Sequence, residues 1–193
     1  AAIADDIAYH NHDLDDGLRA GLLHLDELTG VALVGPLVDA AGSRAIDRPR
    51  RIYEVNRQLI TAMIADVVGE ARRRLAEHPC RSVDDVRNAG RPVVELSAGM
   101  RIGLVDLKRF LFERVYRHPR VLRVMASAER IVEDLFERYR RSPEEIPEPR
   151  RAEARELDDE QRALLVADFV AGMTDRYAIG EHRRLFDATP ELV

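Results

Sequence analysis

Apolar residues recur at the helical period along almost the whole chain. Ile3, Ile7, Leu14, Leu18 and Leu22 fall within one stripe roughly 100° wide, which predicts an amphipathic first helix. Residues 30–50 carry Gly30, Gly35, Pro36, Gly42 and Pro49 and predict an irregular connection with room for one short helix. A long helix is expected over 51–77, through the pairs Leu59-Ile60, Met63-Ile64 and Val67-Val68. Ser82, with Asp85 three residues on, predicts a short capped helix. Pro92 breaks the chain, and Val93-Val94 is too short for a strand. Two further helices are expected near 103–116 and 121–141, separated by His118-Pro119, and two more over 159–173 and onward to about 186. Between them, 141–159 is dense in Pro, Glu and Arg and predicts a mobile surface loop with at most a helical turn. With no strand pattern, no repeat and no glycine-rich phosphate loop, the expected class is all-α.

Composition narrows the chemistry. At 193 residues and 46% hydrophobic, the chain can bury a core and is too apolar for general disorder. It holds no apolar run of the ~18–20 residues that cross a bilayer, and no signal-peptide pattern, so no membrane partner and a cytoplasmic location are expected. The net charge of −5 gives no indication of nucleic-acid binding, although a nucleic acid as regulator is compatible with the sequence. Lys108 is the only lysine among 30 basic residues. Arginine suits bidentate phosphate binding, while a GC-rich genome gives the plainer explanation. The lone Cys80 forms no internal disulfide and no zinc cluster.

Chemistry concentrates in the first helix. Asp5, Tyr9 and Asp13 are spaced by four, each about 40° around the helix from the last, so they form a row away from the apolar stripe. A carboxylate row with an aromatic ring between suits divalent-metal binding or hydrogen bonding to sugar hydroxyls. On spacing alone, the plainer reading is a solvated acidic face. His12-Asp13 is not read as a metal-binding His-Asp pair. His10 and His12 point to opposite sides of a helix, and nothing before residue 10 could supply the further histidine such a site needs. Weaker candidates are Arg44, Arg48, Arg50 and Arg51 at the head of the long helix, as phosphate binders or a solvated patch. Asp175 and Arg176 are read as a structural ion pair, and His24, His78, His118 and His182 as ordinary surface or helix-end histidines.

Three segments in order carry a resemblance. Ala4-Asp5-Asp6-Ile7-Ala8-Tyr9, followed by Asn11-His12-Asp13-Leu14-Asp15-Asp16-Gly17-Leu18-Arg19-Ala20-Gly21-Leu22, resembles the segment bearing the last metal ligand of the deoxynucleotide triphosphohydrolases of the HD superfamily. Ser97 and Met100, ahead of Leu107-Lys108-Arg109-Phe110-Leu111 and Val115-Tyr116, are similar to the phosphohydrolase-associated region of that family. Val166-Ala167-Asp168-Phe169-Val170-Ala171-Gly172-Met173-Thr174-Asp175-Arg176-Tyr177-Ala178 resembles its C-terminal signature.

This resemblance implies the C-terminal portion of a multi-helix HD-domain-like fold, with 1–40 ending the catalytic core and 41–193 forming the phosphohydrolase-associated helical region. It implies metal-dependent hydrolysis of a dGTP-like deoxynucleoside triphosphate to deoxynucleoside and inorganic triphosphate, in a homo-oligomer. Asp5 would complete a His, His-Asp, Asp set around a divalent ion (Mg, Mn or Fe), Tyr9 would lie against the deoxyribose where a 2′-hydroxyl would sit, and Asp13 would accept a hydrogen bond from the 3′-hydroxyl. The histidine ligands have no counterpart here. The chain opens Ala-Ala-Ile-Ala-Asp-Asp, already inside a helical pattern, and the expectation is that those ligands lie upstream in a longer protein. The competing function is a non-catalytic all-α nucleotide-sensing or oligomerisation domain.

Overall fold

The computed structural model describes residues 2–43, 46–148 and 150–191. Among these the protein is all-α, with no strand. Two compact units, Ala1–His118 and Pro119–Val193, each carry a core of their own.

The first unit contains α1 (Ala2–Arg19), a 3-10 turn (Leu25–Leu28), α2 (Gly35–Gly42), α3 (Arg48–Glu77), α4 (Val83–Arg87) and α5 (Ala98–Leu111). A single π-helical turn, Phe112–Tyr116, continues α5. Leu14 and Leu18 of α1 are buried with Ile52, Val55, Leu59 and Met63 of α3 and Leu104, Leu107 and Leu111 of α5. Each fully buried leucine contributes about 1.5–3 kcal/mol relative to exposure, so the α1–α3 seam is held chiefly by apolar burial. Among the apolar pairs of α3, Leu59 and Met63 face inward while Ile64 and Val68 are exposed. Two buried amides interrupt the seam. Asn11 donates to Ile7 O (2.7 Å) and Met63 Sδ (3.3 Å), and Asn56 donates to Asp15 Oδ1 (2.9 Å) and Ile52 O (3.2 Å). The Oδ1 atoms of both lack a donor.

Several boundaries differ from the expected ones because a cap overrides the apolar pattern. Helix α3 starts at Arg48, where Asp47 accepts from Arg50 N (3.0 Å) and Pro49 sits in the donor-poor first turn. Helix α5 starts at Ala98 because Ser97 caps Met100 N (3.2 Å), and Asp66 of α3 in turn holds Ser97 through N (2.8 Å) and Oγ (2.6 Å). The expected Ser82–Asp85 capping box is formed at α4. Helix α1 ends in a reversal at Gly21, whose φ of +68° is costly for any side-chain-bearing residue.

The second unit contains α6 (Pro119–Arg141), a 3-10 turn (Pro143–Glu145), α7 (Arg150–Arg155), α8 (Asp159–Ala171) and α9 (Asp175–Leu185). Proline is well placed in a first helical turn, so α6 opens at Pro119 rather than after it. Its core gathers Ile131, Leu135, Tyr139, Ile146, Ala154, Leu165 and Val166. The segment expected as a loop is therefore corrected, since Ile146 is 1% exposed and Ala154 is fully buried. Charged anchors hold it: Arg138 pairs with the Glu145 carboxylate, and Arg184 donates to Glu145 O (3.0 Å). Tyr139 donates to Glu181, which Arg184 also grips (2.7 Å). Burial raises the Tyr139 phenol above its ordinary range, and hydrogen bonding by Arg184 lowers the Glu181 carboxyl.

His182 lies in the last turn of α9, a helix-end position as expected, but it is buried rather than on the surface. It is 1% exposed, stacks on Phe186 with ring centroids 4.4 Å apart, and lies 3.1 Å from both Asp134 Oδ2 and Thr189 Oγ1. Asp175 and Arg176 are both exposed at the head of α9.

Candidate functional site

Helix α1 has two working sides. Because Leu14 and Leu18 turn into the core, Asp5, Tyr9 and Asp13 lie on the outward flank. Asp5 is exposed, Tyr9 is 55% exposed, and Asp13 is half-buried. Tyr9 and Asp13 are brought together by a residue far along the chain, Tyr116 at the end of the π-helical turn. Tyr116 donates to Asp13 Oδ2, and its hydroxyl oxygen lies 2.6 Å from that of Tyr9.

The direction of this chain of bonds follows from the donor inventory. An ionised carboxylate only accepts, so the single Tyr116 proton goes to Asp13 and the Tyr9 hydroxyl donates to Tyr116. Burial, followed by the adjoining Asp13 and Tyr9, pushes the Tyr116 phenol well above its ordinary value. Tyr116 is thus a fixed, neutral donor at neutral pH. Among the described residues Asp13 Oδ1 receives no hydrogen bond.

The neighbours explain how the flank is held. Asp15 is bound by Asn56 of α3 (2.9 Å) and Arg19 (2.5 Å), and Arg48 donates to Leu18 O (2.9 Å), so α1 is tied to α3 at two points beyond its apolar seam. His10 turns back on its own helix, 2.6 Å from Asp6 O, and His12 is exposed. Arg51 is half-buried with Nε unpartnered, and Arg50 is exposed. Arg44 lies outside the described residues.

A divalent metal is not accommodated by this chain's side chains alone: among the described residues no three His, Cys, Asp or Glu converge on one point. Such sites need several converging ligands, and Asp5 is one hard oxygen donor. Among the described residues no helix is long and apolar enough to cross a membrane.

Sequence patterning places Asp5, Tyr9 and Asp13 on one flank but gives Tyr116 no role. The available signal was Val115-Tyr116 within the resembling segment, and no local periodicity links positions 107 residues apart.

Residues 94–184 match the model of the phosphohydrolase-associated domain. The chain is 50% identical over 194 residues to a deoxyguanosinetriphosphate triphosphohydrolase-like protein of Azorhizobium caulinodans, covering all of this chain and 48% of that one. A protein of the same name from Nitrobacter hamburgensis is 50% identical over 197 residues, with 100% and 48% covered. One from Caulobacter vibrioides is 46% identical over 188 residues, with 96% and 48% covered. The chain spans about half the length of these curated relatives, matching their C-terminal half. Identity of this order along the whole chain, together with the phosphohydrolase-associated domain, makes it a member of the deoxyguanosinetriphosphate triphosphohydrolase-like family.

Proposed function

We propose that the intact protein hydrolyses a deoxynucleoside triphosphate of the dGTP type to the deoxynucleoside and inorganic triphosphate, and that α1 forms the sugar-recognising side of its site. The observation that carries this reading is the directed chain from Tyr9 through Tyr116 to Asp13. It fixes two phenol rings and leaves one Asp13 oxygen open. A 3′-hydroxyl donates to that oxygen, while the ring of Tyr9 occupies the space a 2′-hydroxyl would need. Water adds its oxygen to the α-phosphorus, the bond to the 5′-oxygen breaks, and that oxygen leaves with a proton as the deoxynucleoside. Asp5 is proposed as one carboxylate ligand of a divalent ion whose other ligands lie outside this chain.

The test is kinetic, in the longer protein. Asp13→Ala should cost about 1–3 kcal/mol in kcat/KM with dGTP, the worth of a buried hydrogen bond, and almost nothing with the 2′,3′-dideoxy analogue. Tyr9→Ala should raise activity on GTP relative to dGTP. Asp5→Asn should lower both metal content and turnover, because an amide is a poorer partner for a divalent cation. Equal losses on dGTP and its dideoxy analogue with Asp13→Ala, or three fully active, metal-replete variants, would end this reading.

A further inference from the structure

Tyr116 reaches Asp13 from the π-helical turn, and the residue before it, Val115, lies against α1 at Gly17. A Cβ on Gly17 would lie 3.0 Å from Val115 Cγ2 and 3.0 Å from Leu23 Cδ1, well inside the 3.5–4.0 Å at which carbons pack comfortably. Gly17 is one turn beyond Asp13 on the same helix, and Val115 is the residue before Tyr116. Helix propensity does not explain the glycine, since mid-helix glycine is unfavourable relative to alanine.

We propose that Gly17 is a positioning residue: the missing side chain lets Val115 lie against α1, and this approach delivers the Tyr116 hydroxyl to Asp13. The surroundings fix which partner yields when the space is filled. Helix α1 is pinned to α3 by Leu14, Leu18, the Asn56–Asp15 bond and the Arg48–Leu18 bond. Leu23 is fully buried, and its own N–H donates to Gly17 O (3.0 Å). Val115 is β-branched and stiff at χ1, so it transmits a push to its backbone rather than rotating away. The π-helical turn is the least regular of the three walls, closed at its end by the Arg117 N–H donating to Phe112 O (3.0 Å). A methyl group at position 17 therefore displaces the turn, and Tyr116 with it.

The consequence for catalysis rests on the sugar-recognition reading, whereas the displacement does not, and the experiment separates them. The 193-residue chain is labelled with 13C-tyrosine, the Tyr116 signal is assigned with Tyr116→Phe, and its ionisation is followed with pH. Gly17→Ala should move the Tyr116 ionisation down toward that of an ordinary tyrosine. Adding Val115→Ala in the same chain should restore it. An unchanged Tyr116 signal in Gly17→Ala overturns the proposal, as does a shift that Val115→Ala fails to reverse. Should Gly17→Ala not fold, Val115→Ile crowds the same gap from the other wall, and an unaltered Tyr116 there is equally decisive. In the longer protein, Gly17→Ala should lose about tenfold of the preference for a 3′-hydroxyl. If Asp13→Ala leaves that preference intact while Gly17→Ala still shifts Tyr116, the sugar reading falls and the positioning role stands.

Discussion

At the scale of single residues, the molecule separates charges that report on folding from charges available to a ligand. Glu70 belongs to the first kind. Hydrogen bonds from Arg73 and then Arg74, both at 2.8 Å, hold its carboxyl down to about 2. Arg74 also reaches Glu95 (2.6 Å) and Pro92 O (2.7 Å), so this pair ties α3 to the segment before α5. Because the folded value lies below the unfolded one, the contribution is fully present above about pH 4.5 and is lost as pH falls through about 2. Glu70→Gln should therefore unfold at lower denaturant than the parent at pH 7, and at the same denaturant near pH 2. Added salt should shrink the pH 7 difference, since Arg73 is open to solvent. A difference that persists at pH 2 would show that packing, not charge, is what the substitution removes. Asp13 belongs to the second kind, with one oxygen committed to Tyr116 and one open.

At the scale of elements, the informative segment is the one between α6 and α8. Its Pro, Glu and Arg content describes a solvated loop, but Ile146 fills the second core and Ala154 is the buried residue of α7. Helix α4 is the contrary case, well capped yet with no buried residue. Limited trypsin digestion should accordingly cut first after Arg81 or Arg87 and only later among Arg150, Arg151 and Arg155. Ile146→Ala should destabilise the second unit by about 2–5 kcal/mol and bring the later cuts forward. First cleavage inside 142–155 of the parent would show that the buried isoleucine does not secure the segment. Periodicity made most helices legible, because apolar spacing of three and four is what burial of one face requires. It missed what depends on single contacts at a distance: Asp66 holding Ser97, Glu145 between Arg138 and Arg184, and Tyr116 on Asp13. No local pattern encodes a partner chosen from elsewhere in the fold. Asp5, Tyr9 and Asp13 were legible as a row because four-residue spacing is itself a geometric statement about a helix.

At the scale of the whole molecule, two cores are complete while the candidate chemistry is not. The chain spans about half the length of its relatives and gathers no three metal-ligating side chains among its described residues. The purified 193-residue chain is therefore expected to release no triphosphate from dGTP with Mg, Mn or Fe present, and to do so only as part of the longer protein. Metal-dependent release by the chain alone, at enzymatic rates, would contradict this. Helix α1 also constrains how such a gene can change. One flank of the helix faces the core and the other carries Asp5, Tyr9 and Asp13, in a fixed angular relation set by the helical repeat. Point substitutions on either flank alter one function at a time. Gain or loss of a single codon between Asp5 and Leu14 rotates one flank by about 100° against the other, sending carboxylates inward or leucines outward. Codon-length changes should thus accumulate in the stretch around α4, where nothing is buried, and be purged from α1, so that the reading register of this helix outlasts the identity of most of its residues.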